Sequence, residues 1–452
     1  MSIEVRIIHI GVSFGAAISL IAASRFYPSL ANVKPVLTAP SVHLPAELRN
    51  ANEAKWVEWS RKEDAAIRAR LHQGDLDSLV NFLLYGTSFT SQPRIRMESI
   101  AEASKSGVLR TRVDDLVANV RKAGGNERLL FLRELLRSEG IDPGGDSSRT
   151  GVFILKQLER VLEEQRSLAE RAREIKPETA LDRGSLFRYR GVSLDTGLLA
   201  DFAIDQTLRD LKNRGLLRAG QIARVGVIGP GLDFIDKNPV SAYDFYPPQT
   251  IQPFALYDSL LQIGLAKDKS LALSILDISP RIADHLRRTR ERAAKGAGYV
   301  IQLPRDVGRA WPPGLVAYWN TFGGSIGSAT GAIPPPSAFL GLETRAVRIR
   351  PDVVLTCEAV DLDIIVDRLD LRESEKFDLL VATNIFVYYD TFEQMLALEN
   401  AGSMLKPGGL LLTNDGLPEV GGGSMRLAGA TEIQYDDRVT GSREIVGWYQ
   451  KR

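Results

Sequence analysis

From about residue 220 onward the chain alternates short apolar runs with helical stretches. The runs are RVGVIG, ALSILDIS, VVLTCEAVDL, FDLLVATNIFVYY and GGLLLTND. Such runs suit strands buried on both faces, and the helices between them suit the crossovers that parallel strands require. The fold class this predicts is α/β, a doubly wound (Rossmann-like) parallel sheet with helices on both faces. The segment RGVSLDTGLLADFAIDQTLRDLKNRGLL, starting at Arg190, reads as a loop and a helix leading into it.

The first half has a different texture. Stretches such as NEAKWVEWSRKEDAAIRARL and GVFILKQLERVLEEQRSLAERAREI place apolar residues three and four apart among charges, the pattern of amphipathic helices. Residues 46–185 read as a helical accessory domain, and 186–452 as the sheet domain. Two insertions interrupt the latter, at about 233–255 and 296–350. Pro28, Pro35, Pro40 and Pro45 make 26–45 an extended linker. Residues 1–25 contain the uncharged run IIHIGVSFGAAISLIAA at 7–23, short for a spanning helix. Three readings fit it: a cleaved signal, a short membrane anchor, or a buried first element. No period of 20–50 residues marks a repeat array.

Composition narrows the function classes. Lys plus Arg total 57 against 56 Asp plus Glu, so no extended nucleic-acid surface is expected. Cys357 is alone and cannot form an intrachain disulfide. His9, His43, His72 and His285 are scattered, which predicts no metal site and gives no histidine base. His285 lies in a charged helical stretch and reads as a surface residue.

Four segments carry chemistry. In RVGVIGPGLD a buried strand ends at Gly229-Pro230-Gly231, where the backbone turns sharply and can approach a ligand closely. In SILDISP, Asp277 closes an apolar strand and can accept from the two hydroxyls of a ribose. The alternative for Asp277 is to cap the next helix. Ser279 is the better cap, with Pro280 in the first helical position. FDLLVATNIFVYYD ends the fourth strand at Asn384, and in MLKPGGLLL a helix stops and a strand follows at once.

In this order the four segments, spanning roughly 224–416, resemble the class I S-adenosylmethionine (SAM)-dependent methyltransferases. FDLLVATNIFVYYD is similar to the corresponding strand of the chemotaxis-receptor methyltransferases. The resemblance implies SAM as cofactor, with Gly229 and Gly231 beside its methionine part and Asp277 on the ribose. It implies Ile278 beside the adenine, Asp361 near the adenine amino group, and Asn384 close to the sulfonium methyl. The chain departs from the family pattern in its first strand and turn and by two long insertions, one between Gly229 and Asp277 and one at about 296–350. Val227 stands where an acid is usual, and Asp233 replaces the third glycine of the turn.

Methyl transfer is an in-line displacement in which the protein aligns the partners and, where needed, removes a proton. Asn384, Tyr388 and Asp233 are the catalytic candidates, while Tyr243, Asp244 and Tyr246 in the first insertion are candidates for an acceptor pocket. The acceptor is not identified by the sequence. Two rivals stand beside this reading. One is a nucleotide-binding oxidoreductase, against which Phe234 replaces the last glycine of GxGxxG. The other is a methyltransferase-fold scaffold without activity. A SAM enzyme draws on a cytosolic cofactor, so a membrane anchor through 7–23 with the catalytic domain in the cytoplasm is slightly favoured over export.

Overall fold

The computed structural model describes residues 25–26, 44–174, 190–192, 197–235, 243–337, 339, 341–418, 422–435 and 443–452. The apolar segment 7–23 and the linker from 27 to 43 lie outside the described residues. Among those described, no helix is long and apolar enough to cross a membrane.

A short strand β1 (Arg25–Phe26) precedes the helices. Asn52 then caps α1 (Glu53–Tyr85) by accepting from the Lys55 backbone N–H at 3.0 Å. Helices α2 (Ile100–Lys105), α3 (Val108–Arg121), α4 (Glu127–Ser138) and α5 (Ser147–Glu174) follow. They pack with the second half of α1 around Leu79, Phe82, Leu116, Leu132 and Leu136. Arg112 is fully buried and closes the turn after α1 by donating to the carbonyls of Leu83, Gly86, Gln92 and Pro93.

After α6 (Leu198–Asn213) come β2 (Arg224–Ile228), α7 (Gln252–Gln262), β3 (Ala272–Asp277) and α8 (Pro280–Ala294). The second insertion holds β4 (Tyr299–Asp306), α9 (Pro313–Thr321), β5 (Gly327–Thr330) and β6 (Leu342–Ile349). Its strands form their own antiparallel sheet in the order β4-β6-β5. Next are α10 (Pro351–Thr356), β7 (Cys357–Asp361), β8 (Arg368–Leu369) and β9 (Phe377–Ala382). The chain ends with α11 (Thr391–Met404), β10 (Leu405–Thr413), β11 (Met425–Gln434) and β12 (Arg443–Lys451). Asp390 and Glu393 cap α11 reciprocally, each accepting from the other's backbone N–H.

Among the described residues the main sheet has seven strands in the order β11-β12-β10-β9-β2-β3-β7. The five from β10 to β7 are parallel, and β12 is antiparallel to both of its neighbours. The predicted doubly wound α/β sheet is therefore present, with one reversed strand near its edge. Val225, Val227, Leu273 and Ile275 face a core built with α6, α7 and α8. Ile228, Leu276, Leu380 and Ala382 face the opposite core.

Two expectations need correction. VVLTCEAVDL is not one strand, because Pro351 opens helix α10 and only Cys357–Asp361 is extended. The helix before Lys-Pro-Gly-Gly ends at Met404, earlier than expected. Those four residues instead bulge within β10, between the pairs Leu405↔Phe377 and Leu410↔Leu379. The helical region also shares its core with the sheet. Trp56, Trp59 and Ile67 of α1 lie with Phe386, Phe392 and Leu396, and Phe234 and Ile235 sit among the helices.

Candidate functional site

The chain runs from β2 outward to β3 and β7, then returns across β2 to β9 and β10. The direction reverses between β2 and β9, and in such sheets ligands lie in the crevice outside the carboxyl ends at this point. Gly229 and Gly231 follow β2 with φ of 60° and 73°, a region that favours glycine. A Cβ on Gly229 would lie 2.2 Å from Ile385 Cδ1. The close approach that requires glycine here is made, in this structure, by Ile385 from the loop after β9.

Asp277 and Asp361 are register partners at the ends of β3 and β7. Asp277 is buried, and its Oδ1 accepts from the Ser279 backbone N–H at 2.6 Å. Burial pushes its carboxyl up to about 7, aided by the charge of Asp361 and opposed by that N–H and by Arg68. Ser279 takes the N-cap position of α8, as expected, with Pro280 at its start. Its side chain makes no capping bond, so Asp277 supplies the carboxylate there as well. Asp361 is exposed. Arg68 of α1 donates to it at 2.9 Å, to the Ile278 carbonyl at 3.2 Å and to Asp64 at 2.8 Å. One guanidinium thus lies across the ends of β3 and β7. Beside it, Asp363 is 1% exposed and its Oδ2 has no hydrogen-bond partner among the described residues. Burial pushes this carboxyl up to about 8, with the charges of Asp64 and Asp367 adding to the effect.

On the other side of the switch point is a cavity of about 410 Å³. It brings together Asp233, Tyr243, Tyr246 and Asn384, all candidates from the sequence. The Tyr246 hydroxyl donates to Asp233 at 2.7 Å, and Gln249 Nε2 donates to the same oxygen at 3.2 Å. Arg128 of α4 is buried and holds the insertion by donating to the carbonyls of Asp233, Phe234, Asp244 and Tyr246. Asn384 has φ of 58°, a left-handed conformation that Asn tolerates better than most residues. Its loop is pinned by the end of β10. Asn414 Oδ1 accepts from the Asn384 N–H at 2.7 Å, and Asp415 Oδ2 accepts from the Phe386 N–H at 2.8 Å. Behind this loop, Gln252 Nε2 donates to Thr383 Oγ1 at 2.7 Å, next to buried Asp201.

The other candidates lie elsewhere. Asp244 is buried and turned toward the helical region, where it accepts from the N–H groups of Thr87 and Ser88 and from the Thr87 hydroxyl. Tyr388 is half-buried outside the cavity lining, and its carbonyl accepts from Arg70 at 2.7 Å. Neither the two glycines nor Asp277, Ile278 or Asp361 line this cavity. His285 is not a plain surface residue. It lies half-buried with Nε2 at 2.9 Å from the Tyr299 hydroxyl, and burial lowers its pKa to about 4. Among the described residues no group of three or more His, Cys, Asp or Glu side chains is placed to hold a metal ion.

The sequence reading missed Arg68, Arg128, Gln302, Arg309, Asn414, Asp415, Tyr435 and Glu444. Only Asn414 and Asp415 carried a local signal, two polar residues at the carboxyl end of a buried strand.

No family model matches the chain, and no curated protein matches it. It aligns at low similarity with several solved methyltransferase structures. The N-methyltransferase NodS from Bradyrhizobium japonicum WM9 is 11% identical, with a TM-score of 0.27, covering 56% of this chain and 96% of its own. The magnesium protoporphyrin IX methyltransferase from Synechocystis PCC 6803 with bound SAM is 11% identical, with a TM-score of 0.26, covering 61% and 92%. The mitomycin 7-O-methyltransferase MmcR is 13% identical, with a TM-score of 0.29, covering 87% and 97%. Likeness this distant says nothing of the chemistry performed by this chain.

Proposed function

We propose that the protein transfers a methyl group from S-adenosylmethionine to an acceptor held in the cavity beside Asn384. The observation that carries this reading is the placement of that cavity at the switch point. There the loop after Gly229-Pro230-Gly231 supplies Asp233 and the end of β9 supplies Asn384. The neighbouring strand ends suit a nucleoside. Asp277 and Asp361 offer carboxylates in register, and the unpartnered Asp363 Oδ2 marks the same cluster as short of a hydrogen-bond partner. Asp277 would hold the ribose, with Ile278 and Asp361 on the adenine side. Bound there, SAM supplies a methyl on a good leaving group. The chain's own part is alignment: Asn414 and Asp415 fix the Asn384 loop, and Arg128 fixes the Asp233 loop. The resemblance of one strand to the chemotaxis-receptor methyltransferases gives no acceptor.

A dinucleotide oxidoreductase is disfavoured by the turn itself. Such enzymes seat pyrophosphate on a helix that starts at the glycine turn. Here the turn leads to a bridge between Asp233 and Gln249, the next helix among the described residues, α7, begins at Gln252, and Phe234 is buried against Phe82 and Phe131. The reversed β12 also departs from the 3-2-1-4-5-6 order of those sheets.

Calorimetric titration with SAM and with NAD tests the reading. SAM should bind, and Asp277→Ala should weaken it by about 1.5–3 kcal/mol, the scale of lost charge-assisted hydrogen bonds. NAD binding instead would establish the oxidoreductase. Folded protein without SAM affinity would favour the scaffold.

A further inference from the structure

The lining of the cavity indicates what it holds. Four aromatic side chains, Tyr243, Tyr246, Trp311 and Tyr435, face it with Leu198, Leu199 and Ile251. Among the described residues its charged groups are three carboxylates, Asp233, Asp306 and Glu444, against one guanidinium, Arg309. Arg309 stands 3.8 Å from Asp306, so that pair offsets itself. Buried Arg128, on the Asp233 carbonyl, tempers the charge of Asp233. Glu444 accepts from two neutral donors, Asn414 Nδ2 and the Tyr435 hydroxyl, and neither cancels its charge. Two further cations stand behind the wall. Arg305 lies 5.6 Å from the Trp311 ring and 3.8 Å from Glu343, and Arg94 lies 5.9 Å from the Tyr243 ring. As lined by the described residues, the cavity is thus aromatic, net negative, and large enough for a small organic molecule.

We propose that this cavity takes an organic cation, an ammonium group carried on an aromatic or similarly flat apolar body, with Glu444 as its counter-ion. A carboxylate kept in a half-buried site favours a positive partner that restores what desolvation removes. Aromatic faces attract both the charge and the flat body. An anionic molecule of the same shape meets repulsion from Glu444.

Binding of the cation stands by itself. Its fate as the methyl acceptor rests on the methyl-transfer reading. In that step the ammonium gives a proton to a pocket carboxylate. The freed nitrogen pair forms the N–C bond while the S–C bond breaks, and the products are a methylammonium and S-adenosylhomocysteine.

The test is calorimetry on the full chain without SAM, using three probes of one shape: phenethylamine, phenethyl alcohol and phenylacetate. Phenethylamine should bind at least about tenfold more tightly than the other two. Glu444→Gln, which keeps the shape, should erase that preference. Arg309→Gln, at an exposed position, should tighten phenethylamine about threefold and serves if Glu444→Gln does not fold. Equal affinity for the three probes overturns the proposal. So does tighter phenylacetate, no saturable amine binding at millimolar concentration, or a folded Glu444→Gln protein that still prefers the amine. A parallel SAM titration separates the two ideas: amine binding without SAM affinity leaves this site standing and removes methyl transfer.

Discussion

The guanidinium of Arg68 reaches 2.9 Å to the carboxylate of Asp361, linking the first long helix to the end of the third parallel strand. The same group donates to the Ile278 carbonyl, and on the proposed placement of the nucleoside it stands beside the adenine. SAM binding on that side must move Arg68 aside or share its partners.

Arg68→Ala should therefore speed SAM association and tighten binding by about three- to tenfold, because a conformational cost is removed. Stopped-flow fluorescence measures the rate and calorimetry the affinity. A folded variant with weaker binding would instead make Arg68 a direct cofactor contact.

Asp363 and Asp277 give the protein a characteristic response to pH. Both carboxyls are raised by burial, to about 8 and about 7, while an unfolded carboxyl titrates near 3.9. Between about pH 4 and pH 8 the folded chain therefore holds more protons than the unfolded one. The contribution of these groups to stability is complete below about pH 4 and is lost as pH rises through about 7–8. Asp363→Asn keeps an acceptor for the Ile365 N–H and removes the titration. Its melting temperature relative to the parent should rise by about 1–3 °C from pH 5 to pH 8. Parallel melting curves at the two pH values would show that Asp363 does not titrate in this range.

Gly229→Ala should cost about 1–3 kcal/mol of stability, from a left-handed backbone and the contact with Ile385. Adding Ile385→Ala should recover part of that cost relative to Ile385→Ala alone. Urea unfolding of the four proteins of the cycle measures it. Full additivity would assign the whole cost to backbone conformation.

How far these features could be read from the sequence depended on their range. The strands β2, β3 and β9 were legible because a strand covered on both faces must be apolar throughout. Pro351–Thr356 misled because Val353, Val354 and Leu355 look strand-like, while Pro351 in front of them starts a helix. The small sheet of the second insertion left no clear signal, since β4, β5 and β6 are only partly covered. Asp233, Tyr246 and Asn384, which line the cavity, were candidates from motif and local chemistry. Arg68, Arg128 and Glu444 were not, because their partners lie far off in sequence and a long charged side chain looks the same wherever it points.

The N-terminal run 7–23 is proposed to be an anchor that leaves the catalytic part in the cytoplasm, with the prolines at 28, 35, 40 and 45 as a spacer. Cell fractionation with protease protection should find the chain in the membrane fraction and its bulk accessible from the cytoplasmic side. A soluble exported product lacking the first two dozen or so residues would establish a cleaved signal instead.

Helix α1 runs without a break from Trp56, in the core beneath the sheet, to Tyr85, in the core of the helices. At 33 residues it is a rod of roughly 50 Å. Its two ends are cemented into different foundations. Cutting the gene between the helical and sheet portions would strip one of them of a wall, so neither fragment should behave as a self-sufficient body. The two halves should melt together, and a ligand gripped at the strand ends should raise the melting point of the helical half as well.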